Sequence, residues 1–370
     1  MTTRKKILTV VGARPQFVKA AALSRELLKH PELEEKIIHT GQHFDDSMSK
    51  VFFEEMDIPE PHFRFNINSM THGAMTGTML IEIEKVLIAE NPDLVLLYGD
   101  TNSTLAGVLA ARKLNFKIAH VESGLRFFDN TIPEEVNRLV ADRLSDILFC
   151  PTQTAVDNLI KEGYEQYGID IVRTGDIMCD TVFYYRQKMR QQTFPELETM
   201  IGNDPFVLLT CHRDNSTKEE NLPKVVNAIN KIAAAIKVIF PVHPRTKKKL
   251  SEWNLKLSDN VILIEPQGYF SMLYLLEKCQ TVVSDSGGLQ KEAYLMGKKC
   301  LFLHPFTPWV ELVENGFVTC TSLEESEIWN QYQAMLLVNP DFSIQLYGDG
   351  TSAKTITDYI CLYLNPTPHV

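Results

Sequence analysis

The chain has 370 residues, 44% of them hydrophobic and 23% charged, with a formal net charge of −10 at pH 7. That length fits two domains of ordinary size, and that balance fits a globular protein. The acidic charge argues against a general binder of nucleic acid or acidic membrane, so an anionic ligand needs a local cluster of cations.

In chain order, Arg4, Lys5 and Lys6 precede an apolar run at 7–11 that meets Gly12-Ala13-Arg14-Pro15, where a signal peptide would carry its cleavage site. The run reads as a first strand. No apolar run approaches the 18 residues of a membrane span, so no membrane association is expected. Short apolar runs at 37–40, 94–98, 118–121, 147–150 and 171–172 then alternate with 3.6-residue periodicity, clearest at 17–28 and 78–89. After a polar, Gln- and Glu-rich stretch near 186–198, runs at 206–210, 238–241, 261–264, 281–284 and 300–303 restart the pattern. Residues 351–364 read as a terminal helix. The expected fold class is α/β, with two Rossmann-like doubly wound domains facing one another, the first over residues 1–170 and the second over 171–350. Seven scattered cysteines (150, 179, 211, 279, 300, 320 and 361) make no CxxC. Reduced buried thiols, a cytoplasmic location and no zinc are the expectation.

In such sheets ligands sit beyond the carboxyl ends of the strands. The chemically rich clusters of this chain all follow apolar runs. Gly12-Ala13-Arg14 through Lys19 offers a glycine turn, a guanidinium fork and an ammonium to an anion; two solvated cations on a turn is the competing reading. Gly99-Asp100-Thr101 places Asp100 as either an N-cap or a catalytic carboxylate. His120-Val121-Glu122 brings an imidazole and an acid to a strand end. Pro133-Glu134-Glu135 opens a helix with good capping chemistry and two further carboxylates. In the second half, Cys211-His212-Arg213 and His243-Pro244-Arg245 each follow a run.

The most informative stretch is Ser284-Asp285-Ser286-Gly287-Gly288-Leu289-Gln290-Lys291-Glu292-Ala293. A strand delivers two glycines to a helix N-terminus, where unpaired backbone N–H groups and the helix dipole favour an anion. Ser286 can donate its hydroxyl or cap the helix, and Glu292 can accept from sugar hydroxyls. A diphosphate with a ribose beside it suits this segment; an ordinary capped helix is the alternative. Asp100, Glu122 and Glu134 thus come from one domain, and His212, Arg213, His243, Arg245 and the Ser286–Glu292 cradle from the other. An interdomain cleft for general acid–base work on a nucleotide-bound substrate is expected.

With GARPQFVK, GDT, HVESGLR, PEEVNR, CHR, HPRT and DSGGLQKEA in order, the chain resembles the non-hydrolysing UDP-N-acetylglucosamine 2-epimerases essentially end to end. The resemblance implies a glycosyltransferase-B architecture, with the terminal helix at about 351–370 packing back on the first domain. It implies inversion at C2 of a UDP-2-acetamido sugar, UDP-N-acetylglucosamine to UDP-N-acetylmannosamine, through loss of UDP to a 2-acetamidoglucal and re-addition. It implies no cofactor, no metal, a UDP-sugar as partner and a homodimer. Carried over position by position, Asp100, Glu122, Glu134 and His212 are the catalytic candidates. Arg14, Lys19, Arg213, His243, Ser286, Gly287, Gly288 and Glu292 are the candidates for UDP.

The chain departs from the family pattern in several places. Gln16 stands where the GTRPE-type opening has an acid, Lys291 where QEEA has one, and Trp309 where TERPE has Arg. Gln42-His43-Phe44-Asp45 replaces a QHRxM-like activator segment and Thr78 an expected Arg, so weak or absent activation by UDP-N-acetylglucosamine is expected. Lys291 either suits a sugar carboxylate, as in the branch acting on UDP-2,3-diacetamido-2,3-dideoxy-glucuronate, or is a solvated helix residue. A UDP-sugar glycosyltransferase on the same architecture is the reading from another class; it would need an acceptor pocket and has less use for three carboxylates.

Overall fold

The computed structural model describes residues 4–42 and 59–365, Arg14 and Pro15 through their backbone. The chain divides into two compact units, Met1–Phe183 with Tyr347–Val370, and Tyr184–Leu346.

In the first unit, β1 (Lys5–Val11), β2 (Leu33–His39), β3 (Phe63–Arg64), β4 (Leu94–Tyr98), β5 (Ile118–Val121), β6 (Ile147–Cys150) and β7 (Asp170–Arg173) form one sheet ordered β3-β2-β1-β4-β5-β6-β7. Every pairing is parallel. A parallel sheet covered on both faces demands continuous apolar strands, and all five residues of β4, Leu-Val-Leu-Leu-Tyr, are buried. Around it lie α1 (Arg14–Leu27), α2 (His72–Glu90), α3 (Asn102–Lys113), α4 (Pro133–Leu144), α5 (Gln153–Lys161) and α6 (Ile177–Met189), within which the division between units falls. The strand order reverses between β1 and β4, which makes their carboxyl ends the switch point of this sheet.

In the second unit, β8 (Phe206–Thr210), β9 (Lys237–Pro241), β10 (Val261–Ile264), β11 (Thr281–Ser284), β12 (Lys299–Phe302) and β13 (Val318–Cys320) form a parallel sheet ordered β10-β9-β8-β11-β12-β13. Its helices are α7 (Pro195–Ile201), α8 (Leu222–Ala233), α9 (Pro244–Glu252), α10 (Tyr269–Lys278), α11 (Gly287–Leu295), α12 (Val310–Glu314) and α13 (Glu325–Leu337). Val207, Leu209, Val225, Ile229, Ile232, Phe240, Val283, Leu301 and Tyr332 share its core. The switch point lies between β8 and β11, in register from Thr281 opposite Val207 to Ser284 opposite Thr210.

The final helix, α14 (Ser352–Leu364), belongs to the first unit. Two of its otherwise orphaned N–H groups, those of Ser352 and Ala353, donate to the Asp180 carboxylate at 3.1 and 2.8 Å. Tyr359 meets Phe149 of β6 edge-on at 5.8 Å. No described helix is long and apolar enough to cross a membrane.

Strands β3 and β13 are not among the expected strands, and three further segments differ from the sequence expectation. Helix α2 begins at His72 and not near 78, because its first turns carry two glycines and are mostly exposed, so no apolar stripe marks them. Strand β2 begins at Leu33, ahead of a polar Glu-Glu-Lys stretch that alternation does not reveal. The polar stretch near 186–198 is partly helical, covered by the end of α6 and the start of α7.

Candidate active site

At the first switch point, β1 runs into α1 through Gly12 and Ala13, and Gln16 pins the junction. Its Oε1 accepts the N–H groups of Gly12 and Ala13 at 2.8 and 3.1 Å. Its Nε2 donates to the Tyr98 carbonyl at 2.8 Å and to Thr104 Oγ1 at 3.0 Å. The side chain is 1% exposed, so only a group that both donates and accepts satisfies this place. The departure from an acid at Gln16 is therefore a matter of joining β1 to β4, not of ligand charge.

One turn further along α1, Lys19 is buried and ion-paired with Glu122, the residue just past β5. Glu122 has φ +71°, in the left-handed region that costs a non-glycine residue on the order of 1–3 kcal/mol. Strain of this kind needs enforcement, and here it presents the carboxylate beside β4. Gly99 closes β4 against this pair: a Cβ there would lie 3.2 Å from Glu122 Oε2. The next residue, Asp100, is ion-paired with Arg138 of α4, and its carbonyl accepts from Asn137 Nδ2 at 2.9 Å. Asp100 is not the N-cap. Thr101 caps α3, its hydroxyl accepting from the Thr104 N–H at 3.3 Å.

The neighbouring acids divide by burial. Glu135 is 1% exposed; it accepts the N–H groups of Phe127 and Phe128, both at 2.9 Å, and pairs with Arg138. Glu134 is exposed in the first turn of α4. Beneath them sits a network built on His120, which the sequence placed at a strand end. His120 is fully buried, Nδ1 at 2.8 Å from Asp142 Oδ1 and Nε2 at 2.7 Å from the Gly99 carbonyl. Asp142 also accepts from Arg126 at 2.7 Å and from the Gly124 N–H at 3.1 Å. Burial pushes the Asp142 carboxyl up, but the His120 hydrogen bond and the His120 and Arg126 charges outweigh it and hold it below the usual range. His120 thus braces the loop that carries Asp100.

In the second unit, β11 ends at Ser284 and Ser286 caps α11, its hydroxyl accepting from the Leu289 N–H at 3.4 Å. Gly287 and Gly288 are the first residues of that helix, so their N–H groups have no intrahelical acceptor. A Cβ on Gly287 would lie 3.1 Å from Arg213 Nη2, whereas one on Gly288 would meet nothing within 4 Å. The guanidinium thus lies against the first glycine and open space against the second, an arrangement with the chemistry to hold an anion. Arg213 itself is held by Asp285, which sequence reasoning left out of the site. This carboxylate is 1% exposed; Oδ2 accepts the N–H groups of His212 and Arg213, both at 2.8 Å, and the Ser216 hydroxyl. His212 Nδ1 is 3.4 Å from Asp285 Oδ1, an electrostatic neighbour and not a hydrogen bond, for that buried oxygen has no hydrogen-bond partner. The signal was present as an acid directly after a strand and before the glycines.

His243 caps α9: it accepts the Arg245 N–H at 3.2 Å on Nδ1, which leaves Nε2 as the protonated nitrogen of the neutral ring. Its ring centre lies 6.2 Å from that of His212. Arg245 ties this loop down, donating to Asp214 and to the His212 carbonyl. A third imidazole, His304, follows β12; burial lowers its pKa, as does the charge of Arg213 nearby. Its place after an apolar run was the missed clue. Glu292 is half-buried on α11.

Two departures prove to be one. Lys291 is 2% exposed, and its Nζ lies 3.6 Å from the centre of the Trp309 indole. Lys291 is therefore not a solvated helix residue. Where the family pattern has an acid and an Arg, this chain has a cation over an aromatic face, worth about 2 kcal/mol when desolvated. Of the altered activator segment, His43, Phe44 and Asp45 lie outside the described residues. Gln42 Oε1 accepts from the N–H and the hydroxyl of Ser103, at 3.0 and 2.8 Å, and the Thr78 hydroxyl donates to the Ala74 carbonyl of its own helix at 2.8 Å.

A family model described as UDP-N-acetylglucosamine 2-epimerase matches residues 25–361. The chain is 44% identical to UDP-2,3-diacetamido-2,3-dideoxy-D-glucuronate 2-epimerase of Pseudomonas aeruginosa, over 96% of this chain and 99% of that protein. It is 39% identical to a UDP-N-acetylglucosamine 2-epimerase of Methanococcus maripaludis, over 96% and 98%. The crystal structure of the Methanocaldococcus jannaschii UDP-GlcNAc 2-epimerase in complex with UDP-GlcNAc and UDP superposes with a TM-score of 0.89 at 36% identity, covering 96% of this chain and 99% of that one. With two parallel switch points, a strained carboxylate at one and a helix opening on two glycines at the other, the chain belongs to the UDP-N-acetylglucosamine 2-epimerase family.

Proposed function

We propose that this protein inverts C2 of a UDP-2-acetamido sugar, converting UDP-N-acetylglucosamine to UDP-N-acetylmannosamine. The observation that carries the reading is Glu122, a buried carboxylate in left-handed backbone, paired with Lys19 and set beside Asp100 at a switch point. A binding module has no use for such a group. The C2 hydrogen is poorly acidic, so the C1–O bond breaks first, its electron pair leaving with UDP and positive charge developing on the ring. Carboxylates of the first unit stabilise that charge, and one of them takes the C2 proton to give the 2-acetamidoglucal. Protonation of C2 from the opposite face and return of a UDP oxygen to C1 complete the inversion. Asp100, Glu122 and Glu134 serve these steps, Arg138 orienting Asp100 and Lys19 orienting Glu122.

In the second unit, Gly287, Gly288, Ser286 and Arg213 receive the diphosphate; the side chain of Arg14, the other phosphate candidate, lies outside the described residues. Glu292 takes the ribose, His243 donates from Nε2, and His212 assists departure of UDP. A cytoplasmic homodimer goes with this reading.

One observation favours a second sugar. The P. aeruginosa relative, named for a diacetamido-glucuronate, is 44% identical, against 39% for the M. maripaludis relative named for UDP-N-acetylglucosamine. Lys291, the local hint for a sugar carboxylate, stands with its Nζ over the Trp309 indole, an arrangement that fits either sugar. Incubation with each UDP-sugar in deuterated water, followed by NMR, separates them. Deuterium at C2 with formation of the mannosamine epimer supports the first sugar. Turnover of the diacetamido-uronate alone establishes the second, and exchange with neither sinks the epimerase reading.

A further inference from the structure

His30 and Glu32 lie in the turn between α1 and β2, and Cys361 lies in the last turns of α14, some 330 residues away. Three donor atoms of different chemistry meet there. His30 Nδ1 is 3.1 Å from Glu32 Oε1 and 3.4 Å from Cys361 Sγ, and Sγ is 3.7 Å from Oε1. A triangle with those sides has a circumradius of about 2.0 Å, so one point stands about 2.0 Å from all three atoms. Zinc binds imidazole nitrogen and carboxylate oxygen at about 2.0–2.2 Å and thiolate at about 2.3 Å. An ion slightly above the plane of the triangle meets all three distances without moving a side chain.

We propose that His30, Glu32 and Cys361 form a zinc-type metal site that clips the terminal helix to the turn after α1. The donor set selects the ion: one sulfur and one imidazole suit a borderline metal, whereas Mg2+ and Ca2+ demand oxygen. Half of the site is built before any ion arrives. The His30 N–H donates to the Leu27 carbonyl at 3.0 Å, the His30 carbonyl accepts from Leu33 at 3.0 Å, and the Glu32 carbonyl accepts from Lys5 of β1 at 2.8 Å. Glu32 is exposed, which leaves a fourth position open to water. Among the described residues no other group of three such donors converges this closely. The effect is on stability: closing so long a chain segment removes conformational freedom from the unfolded state. No residue of the proposed chemistry takes part.

The test uses the full chain, reduced with a non-chelating phosphine, stripped of metal and titrated with Co2+. The expected result is a thiolate-to-cobalt band in the near ultraviolet with tetrahedral visible bands, saturating at one ion per chain and displaced by Zn2+. Zn2+ also raises the unfolding midpoint. Cys361→Ser removes both signals, and Glu32→Gln weakens Zn2+ by at least roughly tenfold, with turnover unchanged in each. A parent chain without the band, or a Cys361→Ser chain that keeps it, overturns the site. If Cys361→Ser does not fold, unchanged Zn2+ affinity in Glu32→Gln overturns it instead.

Discussion

Glu122→Gln separates the proposed chemistry from the fold, because Glu122 is both the carboxylate proposed for the reaction and the buried partner of Lys19. Its side chain is 9% exposed and that of Lys19 7%, so the pair is little screened by solvent. The amide keeps the shape but removes the charge, leaving the Lys19 ammonium buried without its partner. Breaking a buried pair from one side costs about 3–5 kcal/mol. For a unit of this size each kcal/mol moves the midpoint by about 2–4 °C, so calorimetry should record a fall on the order of 6–20 °C. Adding Lys19→Met removes the stranded charge and should restore most of that loss. Turnover, read as C2 deuterium exchange by NMR, should fall at least ~100-fold in Glu122→Gln and stay down in the double variant. Two results refute the reasoning: a single variant as stable as the parent, or a double variant that regains exchange together with stability.

Other outcomes follow from the same geometry. His39 is buried against Phe17 and accepts the Gly41 N–H on Nδ1 at 2.9 Å; burial, then the Arg64 charge, brings its pKa down to about 4. Unfolded, the ring takes its proton near 6.5, so between about 6.5 and 4 the unfolded chain binds the extra proton. The His39 contribution is thus complete above 6.5 and lost on the way down to 4, by about 3 kcal/mol; His39→Gln should flatten that limb in thermal melts. Gln16→Glu places an oxygen against the Tyr98 carbonyl where an N–H donated, and should cost about 1–3 kcal/mol in denaturant unfolding. Lys291→Glu or Trp309→Arg alone should destabilise the second unit, and the two together should recover stability, since they recreate an ion pair in place of a cation on a ring; additive losses would show the two sites to be independent. The reverse reaction should proceed without added UDP-N-acetylglucosamine, and strict dependence on it in an initial-rate assay would contradict the reading of Thr78 and its partner segment.

The alternation of short apolar runs with helical periodicity was sufficient to identify two parallel sheets, because strands buried on both faces have to be apolar throughout. The positions of Asp100, Glu122, Arg213 and Ser286–Gly288 were legible for a related reason: parallel strands place their following loops on one edge, so chemistry-bearing residues after strands collect there. What the tertiary structure decided are matters of pairing between segments far apart in the chain. Whether Glu134 or Glu135 is the buried acid depended on which one faced Arg138 and the N–H groups of Phe127 and Phe128. Asp285 became visible as the holder of Arg213 once β8 and β11 lay side by side. Gln16, Lys291 and Trp309 looked like changes of ligand chemistry and turned out to answer the Tyr98 carbonyl and each other. A one-dimensional pattern reports which face of an element is apolar; only the packed chain determines which buried charge meets which partner, since a buried polar group takes its meaning from what satisfies it.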